Sequence, residues 1–178
     1  MLSHDSDRLY SIEPATNEAR IAGTTGHGTD GIAVGNGAVW VVNYPDNTIS
    51  RIDPTTGRST VIPVGHSPAG IGVGYGSVWV STTQDGSRQT LSRIDPGTNA
   101  VIDTVPIGPA TSSLATDVGA AAGSIWVTSP TGQDIVRVDP TRVKVRWASS
   151  RDQPSGARRR TFCACGVSPS LSTLPCPV

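Results

Sequence analysis

The stretch that decides the fold is Arg51-Ile52-Asp53-Pro54, because the chain repeats it at a nearly constant interval. It recurs as Arg93-Ile94-Asp95-Pro96 and as Arg137-Val138-Asp139-Pro140, and a weaker copy precedes it as Ser11-Ile12-Glu13-Pro14. The spacings between successive copies are 40, 42 and 44. A period of about 40 residues is typical of stacked and circular repeat proteins. The chain is therefore expected to be an array of small, similar units.

A second landmark, a tryptophan between aliphatic residues, recurs in step with the first. Trp40, Trp79 and Trp126 each stand in a Val-Trp-Val or Ile-Trp-Val context and each precedes one Asp-Pro landmark. The interval from the tryptophan to the Ile or Val of that landmark is the same in the first and third of these copies and longer by three in the middle one. The three additional residues of the middle copy fall in the polar stretch 82–89, which we interpret as a loop.

One full copy, residues 31–65, reads as four short strands. Asn36-Gly37 is a strong hairpin signal because both residues tolerate positive φ, and Tyr44-Pro45-Asp46-Asn47 is a turn by its Pro and Asx content. Short alternating strands with Gly and Pro turns, and without a helical period, predict an all-β chain. The four strands are predicted at 31–35, 39–43, 48–53 and 59–64.

Four strands in about 40 residues, repeated along the chain, indicate the blade of a β-propeller. The predicted fold class is all-β, a partial β-propeller of about three and a half four-stranded antiparallel blades with an irregular C-terminal tail. We expect the tryptophans to fill the space between blades and the Gly-rich first strands to lie innermost.

A closed propeller has at least four blades, so the arc is expected to belong to a larger propeller or to self-associate in order to close. The predicted domain covers 1–148, with repeats near 9–30, 31–65, 69–108 and 113–148, followed by a disordered or non-native tail at 149–178.

The net charge of zero conceals two oppositely charged parts. Residues 1–140 carry thirteen acidic residues and seven arginines, a net charge of −6, whereas residues 141–178 carry a net charge of +6 and all three cysteines. The repeat stops after Pro154-Ser155-Gly156, where an Arg-rich segment replaces the expected strand. We hypothesise a change of reading frame between residues 145 and 157. The alternative is a genuine disordered, basic tail.

Composition excludes several classes of partner. The acidic repeat region argues against a nucleic-acid surface, which is normally basic. No apolar run approaches the roughly 18 residues that a membrane-spanning helix needs. Residues 1–20 are polar and lack the basic start and apolar stretch of a signal peptide. We therefore predict no nucleic-acid partner and no membrane span, and leave the compartment open, with an extracytoplasmic parent protein as one alternative.

The repeat unit has a recognisable consensus. Ser-Arg-Ile-Asp-Pro-x-Thr, then Pro-Val-Gly-x-x-Pro-x-Gly-Ile, then Gly-x-Gly-x-Val-Trp-Val resembles the YVTN-type bacterial β-propeller repeats. It is also similar to the repeats of the streptogramin B lyase-like (virginiamycin B lyase) superfamily. The resemblance is clearest over residues 50–80 and 92–127 and covers about residues 9–140. It implies a propeller, and such propellers include surface and sensor modules, carbohydrate or protein binders, and a minority of enzymes. Because the matching residues are structural, the fold does not assign the function.

Two histidines occupy the same repeat position. His27 and His66 each lie four residues before the glycine that opens a first strand, in a connection expected on the ligand-binding rim. Two such imidazoles could hold a metal or exchange protons, and the lyase-like resemblance implies a metal held by His and Glu near the channel. The third copy has Pro109 at this position, the fourth has Gln153, and no glutamate is near in sequence. We therefore favour a polar turn residue.

The remaining candidate site residues differ in their position within the repeat. The tryptophans, as members of β-branched strands, are predicted to pack rather than to stack on sugars. Asp53, Asp95 and Asp139 precede prolines in turns, so we interpret them as turn residues and not as the paired carboxylates of a hydrolase. The exposed ligand-binding candidates on the loops between second and third strands are Tyr44, Asp46, Gln84, Asp85 and Arg88.

The leading functional hypothesis is a non-catalytic ligand- or protein-binding propeller module from a larger sensor or surface protein. Its partner would be a small molecule or a protein at the loop rim. The first alternative is part of a metal-dependent streptogramin B lyase-like enzyme acting at the channel, the one case in which a divalent metal is the cofactor. The second alternative is a structural remnant without activity. The chain shows no nucleophile-elbow motif.

Overall fold

The structure is a computed structural model that describes residues 2–3, 7–84, 88–109, 117–128 and 135–147. Every regular element within these residues is a β-strand, which confirms the predicted all-β class. The tail at 149–178, its cysteines and the reading-frame hypothesis lie outside the described residues. The strands are β1 (Leu2–Ser3), β2 (Arg8–Ile12), β3 (Ala19–Thr24), β4 (Thr29–Gly35), β5 (Ala38–Asn43), β6 (Thr48–Ile52), β7 (Ser59–Pro63), β8 (Ile71–Gly74), β9 (Ser77–Gln84), β10 (Arg88–Asp95), β11 (Ala100–Pro109), β12 (Val118–Ala121), β13 (Ser124–Thr128), β14 (Ile135–Asp139) and β15 (Lys144–Trp147).

The strands form four antiparallel sheets in which each strand pairs with its neighbours in sequence. We call them the first blade (β1–β3), the second blade (β4–β7), the third blade (β8–β11) and the fourth blade (β12–β15). The last three have four strands each, whereas the described residues of the first supply three. This arrangement confirms the partial propeller. The first unit starts earlier than residue 9, because Leu2 pairs with Leu9 and Ser3 with Arg8.

The inner hairpins turn as the sequence predicts. Asn36 and Gly37 both have positive φ, at 50° and 72°, which is the geometry of the tight turn that suits the twist of a hairpin. The third and fourth blades repeat the geometry with Tyr75-Gly76 and Ala122-Gly123. The same turn therefore joins the first two strands of each four-stranded blade.

The inner strands of successive blades pack face to face, and glycine makes their close approach feasible. A methyl group placed on Gly35 of β4 would lie 2.6 Å from a methyl carbon of Val73 in β8. A methyl group on Gly72 of β8 would collide with the main-chain carbonyl of Val118 in β12. Each inner strand thus presents small residues to the following blade and larger aliphatic residues to the preceding one.

Tryptophan fills the space between the later blades. Trp40 is fully buried in a cluster with Val78, Val80 and Ile94 of the third blade. Trp79 is fully buried in the next cluster, which includes residues of β12, β13 and β14. Trp126 is only partly buried. The apolar core is therefore divided into separate layers between blades, as expected for a propeller.

Each of these three indoles is held by the same two contacts. Its Nε1–H donates to the main-chain carbonyl five residues earlier, and an arginine directly opposite on the third strand lies over its ring. The sets are Trp40 with Gly35 (3.0 Å) and Arg51 (5.6 Å to the ring centre), Trp79 with Gly74 (3.1 Å) and Arg93 (5.4 Å), and Trp126 with Ala121 (3.0 Å) and Arg137 (5.6 Å).

The interpretation of residues 82–89 as a loop is wrong for most of the stretch. β9 continues to Gln84 and β10 begins at Arg88, with these two residues paired. Thr82 is only 3% exposed, and its hydroxyl oxygen lies 2.7 Å from that of Thr90 and 3.3 Å from that of Ser92. Because hydroxyls on facing strands satisfy one another, a polar sequence can continue a buried hairpin.

Candidate functional site

The candidate site begins at the connection between β3 and β4, which is fixed to the end of β5. The main-chain N–H of Gly26 donates to Oδ1 of Asn43 at 3.0 Å. Asn43 is fully buried, and its Nδ2 donates to the hydroxyls of Thr48 at 2.9 Å and Ser50 at 3.0 Å. A methyl group on Gly26 would lie 2.7 Å from Oδ2 of Asp46, so glycine allows the close approach. The turn therefore presents the following residue, His27, in a defined position.

His27 is held between carboxylates of two successive blades. Its main-chain N–H donates to Oδ2 of Asp46 at 2.9 Å, and its Nδ1 lies 3.2 Å from the same oxygen. Its Nε2 lies 3.6 Å from Oδ2 of Asp7, which precedes β2 in the first blade. The His27 side chain is 76% exposed, and those of Asp7 and Asp46 are 41% and 36% exposed. We call Asp7, His27, Tyr44 and Asp46 the rim cluster.

The rim cluster is negatively charged at neutral pH. The main-chain N–H of His27 holds the pKa of Asp46 below its ordinary value; partial burial opposes this effect and the His27 ring assists it. Asp46 therefore stays ionised well into the acidic range. The cluster holds two carboxylates and one imidazole. This local excess of acidic groups agrees in sign with the net charge of −6 over residues 1–140.

The rim cluster does not have the arrangement of a metal site. The two carboxylates contact opposite nitrogens of the ring, so one ion could not bind both of them together with the imidazole. In the described parts of the chain, no group of three or more His, Cys, Asp and Glu residues is placed to hold a metal ion. The divalent metal implied by the lyase-like resemblance thus has no ligand set among these residues.

His66 is attached to the third blade through its main chain. Its carbonyl accepts hydrogen bonds from the N–H of Thr83 at 2.7 Å and from the Thr83 hydroxyl at 3.2 Å. The next residue, Ser67, donates its N–H to Oδ1 of Asn47 at 2.8 Å. The turn that carries His66 therefore bridges the second and third blades, much as the His27 turn bridges the first and second.

The other predicted rim residues fall into two groups. Tyr44 is 41% exposed, and its N–H donates to the carbonyl of Gly28 at 3.3 Å, so it adjoins His27 and Asp46. Arg88 is exposed at the start of β10. Asp85 and the Gln84 side chain lie outside the described residues. The structure thus brings together three of the predicted residues, His27, Tyr44 and Asp46.

The aspartates of the Asp-Pro landmarks accept hydrogen bonds within their turns. Hydrogen bonds from main-chain N–H groups are the largest cause that lowers the pKa of Asp53 and of Asp95, and the Thr141 hydroxyl is the largest for Asp139. The partners of the carboxylate oxygen are the N–H groups of Thr55 (2.8 Å) and Thr56 (3.0 Å) for Asp53, of Gly97 (2.7 Å) and Thr98 (2.8 Å) for Asp95, and of Thr141 (2.9 Å) and Arg142 (3.2 Å) for Asp139.

Sequence reasoning missed Asp7 and the arginines over the indoles. Asp7 stands at the repeat position of Asn47, in a copy whose start is weak, so the repeat alone gave little reason to select it. The arginines carried a clearer signal. Each precedes the Ile-Asp or Val-Asp of a landmark, and antiparallel pairing places it opposite a tryptophan, as Arg51 is opposite Trp40.

Comparisons with known proteins support the repeat architecture. The profile of a family described as a repeat of unknown function (DUF6923) matches residues 2–85. The comparison with curated proteins gave no match. Solved structures with a similar fold include hydrazine synthase of Kuenenia stuttgartiensis, with 15% identity and a TM-score of 0.58, and glutaminyl cyclase of Myxococcus xanthus, with 16% identity and a TM-score of 0.51.

The matches to solved structures cover only part of each neighbour, which limits the conclusions they support. The alignments cover 67% and 75% of this chain but only 35% and 57% of the two neighbours. At such identities the likeness shows a propeller-type fold alone. Within the described residues, no helix is long and apolar enough to span a membrane.

Proposed function

We propose that the chain is a non-catalytic binding module that receives a small-molecule or protein partner at the rim cluster. The observation that carries the proposal is His27, exposed and held between Asp7 of the first blade and Asp46 of the second. Exposed carboxylates that meet across a blade junction offer several hydrogen-bond acceptors within one small area. The partner is expected to carry positive charge or closely spaced donors, such as the guanidinium groups of a basic peptide.

The geometry favours binding over catalysis. A general base needs a free nitrogen directed at the proton it removes, but both ring nitrogens of His27 face carboxylates. The same arrangement leaves little room for a metal ion on the ring. The lyase-like alternative therefore receives less support from the described residues than the binding module does. The neighbours named as enzymes share only the fold with this chain.

We also propose that the module belongs to a larger sensor or surface protein, with an extracytoplasmic parent. The resemblance to YVTN-type repeats over residues 9–140 supports this assignment, as does the partial coverage of the similar structures. Reading the coding DNA on both sides in all frames tests it. Further copies of the Asp-Pro and Val-Trp-Val landmarks are expected there, and their absence on both sides would contradict it.

Calorimetric titration with short peptides of opposite charge tests the binding proposal. An arginine-rich peptide is expected to bind at low salt and an acidic peptide of equal length is not. Because the carboxylates are exposed, the affinity should fall as salt is raised. Asp46→Asn and Asp7→Asn should each weaken binding about threefold to tenfold, since each removes one charge from the cluster. Asp103→Asn, at an exposed site in β11, is the matched control.

Four outcomes would count against the proposal. Equal binding of both peptides would show no charge preference, and equal effects of Asp46→Asn and Asp103→Asn would show that the rim cluster is not the site. Tight binding of Zn²⁺ or Mn²⁺ that His27→Ala and His66→Ala both abolish would favour the lyase-like alternative. Binding of neither peptide would favour a structural remnant.

A further inference from the structure

The ring of His27 joins two blades through its two nitrogens. Nδ1 lies 3.2 Å from Oδ2 of Asp46, in the turn between β5 and β6, and Nε2 lies 3.6 Å from Oδ2 of Asp7, in the segment before β2. A neutral imidazole carries a hydrogen on only one nitrogen, whereas the protonated ring has a donor on both. Both contacts are therefore favourable at the same time only when His27 is protonated.

Asp46 takes the single donor of the neutral ring. Its Oδ2 already accepts the main-chain N–H of His27 at 2.9 Å, which fixes the carboxylate beside Nδ1. The same hydrogen bond is the largest cause that lowers the pKa of Asp46, so this carboxylate is ionised wherever histidine side chains change their charge, between about pH 5 and 8. The neutral ring is then satisfied with its hydrogen on Nδ1, and its unprotonated Nε2 faces Asp7 without attraction.

The charged surroundings of the ring are limited to these two carboxylates. Within the described residues, they are the only groups that form ion pairs with His27. Arg8 and Asp30 are its charged neighbours on β2 and β4, and neither pairs with the ring. Tyr44, whose N–H donates to the carbonyl of the residue after His27, is the other titratable residue beside it. Protonation of the ring therefore changes the local charge from −2 to −1.

The junction between the second and third blades closes the equivalent place without a titratable group. Asn47 stands at the repeat position of Asp7, and both have positive φ. Their main-chain carbonyls accept the N–H groups of Val64 (3.0 Å) and Thr25 (2.9 Å), respectively. Oδ1 of Asn47 also accepts the N–H of Ser67 at 2.8 Å. An amide does not titrate in this range, so of these two junctions only the one between the first and second blades has a contact that depends on pH.

We propose that His27 is a pH-sensitive clasp between the first and second blades. In its neutral form the ring holds only Asp46, and Asp7 accepts a cationic partner at the rim. In its protonated form the ring holds Asp7 as well, which ties the two blades together and makes the rim cluster less negative. Acidification therefore releases a cationic partner. This release rests on the proposed binding function, whereas the clasp itself does not.

A double-mutant cycle tests the clasp in the full chain without any ligand. Unfolding temperatures of the parent, His27→Gln, Asp7→Asn and the double variant give the interaction between the two side chains. A contact that favours the charged ring adds stability at acid pH that is lost as pH rises through the histidine range. We expect an interaction of about 1–3 °C at about pH 5.5, typical of exposed ion pairs, and none that is measurable at about pH 7.5.

Calorimetric titration with the arginine-rich peptide at the same two pH values tests the release. Arginine stays charged at both, so a change in affinity reports on the protein and not on the peptide. The parent should bind about threefold to fivefold more weakly at the lower pH, because the rim cluster has lost one negative charge. In His27→Gln the ratio of the two affinities should approach one. His66→Gln, which replaces an exposed histidine outside the rim cluster, is the matched control and should keep the ratio of the parent.

Failure of the clasp and failure of the binding function give different results. An interaction between His27 and Asp7 that is equal at both pH values, or absent at both, would overturn the clasp. A peptide affinity that depends on pH as strongly in His27→Gln as in the parent would overturn it too. A pH-dependent interaction in a chain that does not bind the arginine-rich peptide would uphold the clasp and contradict the binding function.

Discussion

The junction between the second and third blades is closed, whereas the junction between the first and second is half open. At both junctions the inner strand of the following blade carries the same residue types at equivalent repeat positions. Ile71 of the third blade is 8% exposed and its counterpart Ile32 of the second is 44% exposed. Trp40 fills the closed junction, and no described tryptophan reaches the open one. Burial at these positions is therefore decided by the neighbouring blade and not by the residue itself.

This difference shows how a repeat protein gains stability. A single four-stranded sheet cannot cover both of its faces, so most of its stabilisation comes from the interface with the next unit. Identical sequence landmarks should then contribute unequally along the chain. Substitutions at equivalent positions of the closed and open regions measure that inequality directly.

The largest expected difference is between two tryptophans. Trp40→Ala removes a fully buried indole and should lower the free energy of unfolding by about 3–5 kcal/mol. Trp126→Ala removes a partly buried indole that keeps the same arginine and carbonyl contacts, and should lower it by about 1 kcal/mol. Urea denaturation followed by circular dichroism measures both. Equal losses would show that the contacts within a blade, and not the neighbouring blade, stabilise the indole.

A smaller difference is expected between the paired isoleucines. Ile71→Ala leaves a cavity in the closed junction and should cost about 2–4 kcal/mol. Ile32→Ala removes a side chain that is already 44% exposed and should cost about 1 kcal/mol or less. The same denaturation experiment compares them. If Ile32→Ala proved as costly as Ile71→Ala, the open half of the junction between the first and second blades would have to be covered in solution.

Much of this architecture could be predicted from the sequence because one unit is written several times. A lone Val-Trp-Val or Asn-Gly would have been a weak signal, but recurrence of the landmarks in successive copies fixed the strands and turns together. Local backbone detail was less accessible. In the turn after the Asp-Pro landmark, Gly57, Asn99 and Val143 all have positive φ, although valine rarely adopts it. The position in the repeat overrides the preference of the residue.

The candidate site was predicted only in part, for a physical reason. His27, Tyr44 and Asp46 could be selected because they stand in loops that the propeller places on one rim. Asp7 could not, because its contact with His27 joins two blades and depends on their packing. The misread stretch 82–89 has the same origin, since cross-strand hydroxyl pairs such as Thr82 with Thr90 are invisible in one strand alone.

The inner glycines extend the comparison to the far side of the fourth blade. A methyl group on Gly72 would collide with the carbonyl of Val118, so Gly72→Ala should cost about 1–3 kcal/mol. Gly119 of β12 meets no described atom within 4 Å, so Gly119→Ala should change stability by no more than about 0.5 kcal/mol. Thermal unfolding of the two variants measures this difference in stability. A large loss for Gly119→Ala would show that another segment covers β12.

The smallest expected effect concerns acid stability in the turns that follow the Asp-Pro landmarks. Asp53 accepts main-chain hydrogen bonds at 2.8 and 3.0 Å, whereas Glu13 of the first blade accepts one at 3.4 Å. Those main-chain bonds lower the pKa of Asp53 in the folded state. A lowered folded pKa gives stability that is present above the unfolded pKa, near 4, and lost as pH falls through the folded pKa.

Asp53→Asn keeps an acceptor oxygen, so its unfolding temperature at pH 7 should change by no more than a few degrees. Because the amide does not titrate, its unfolding temperature should decline less steeply than that of the parent below about pH 4. Asp95→Asn should act alike, since the pKa of Asp95 is lowered in the same way. Unfolding temperatures that fall in parallel for parent and variants would show that these carboxylates do not contribute to acid sensitivity.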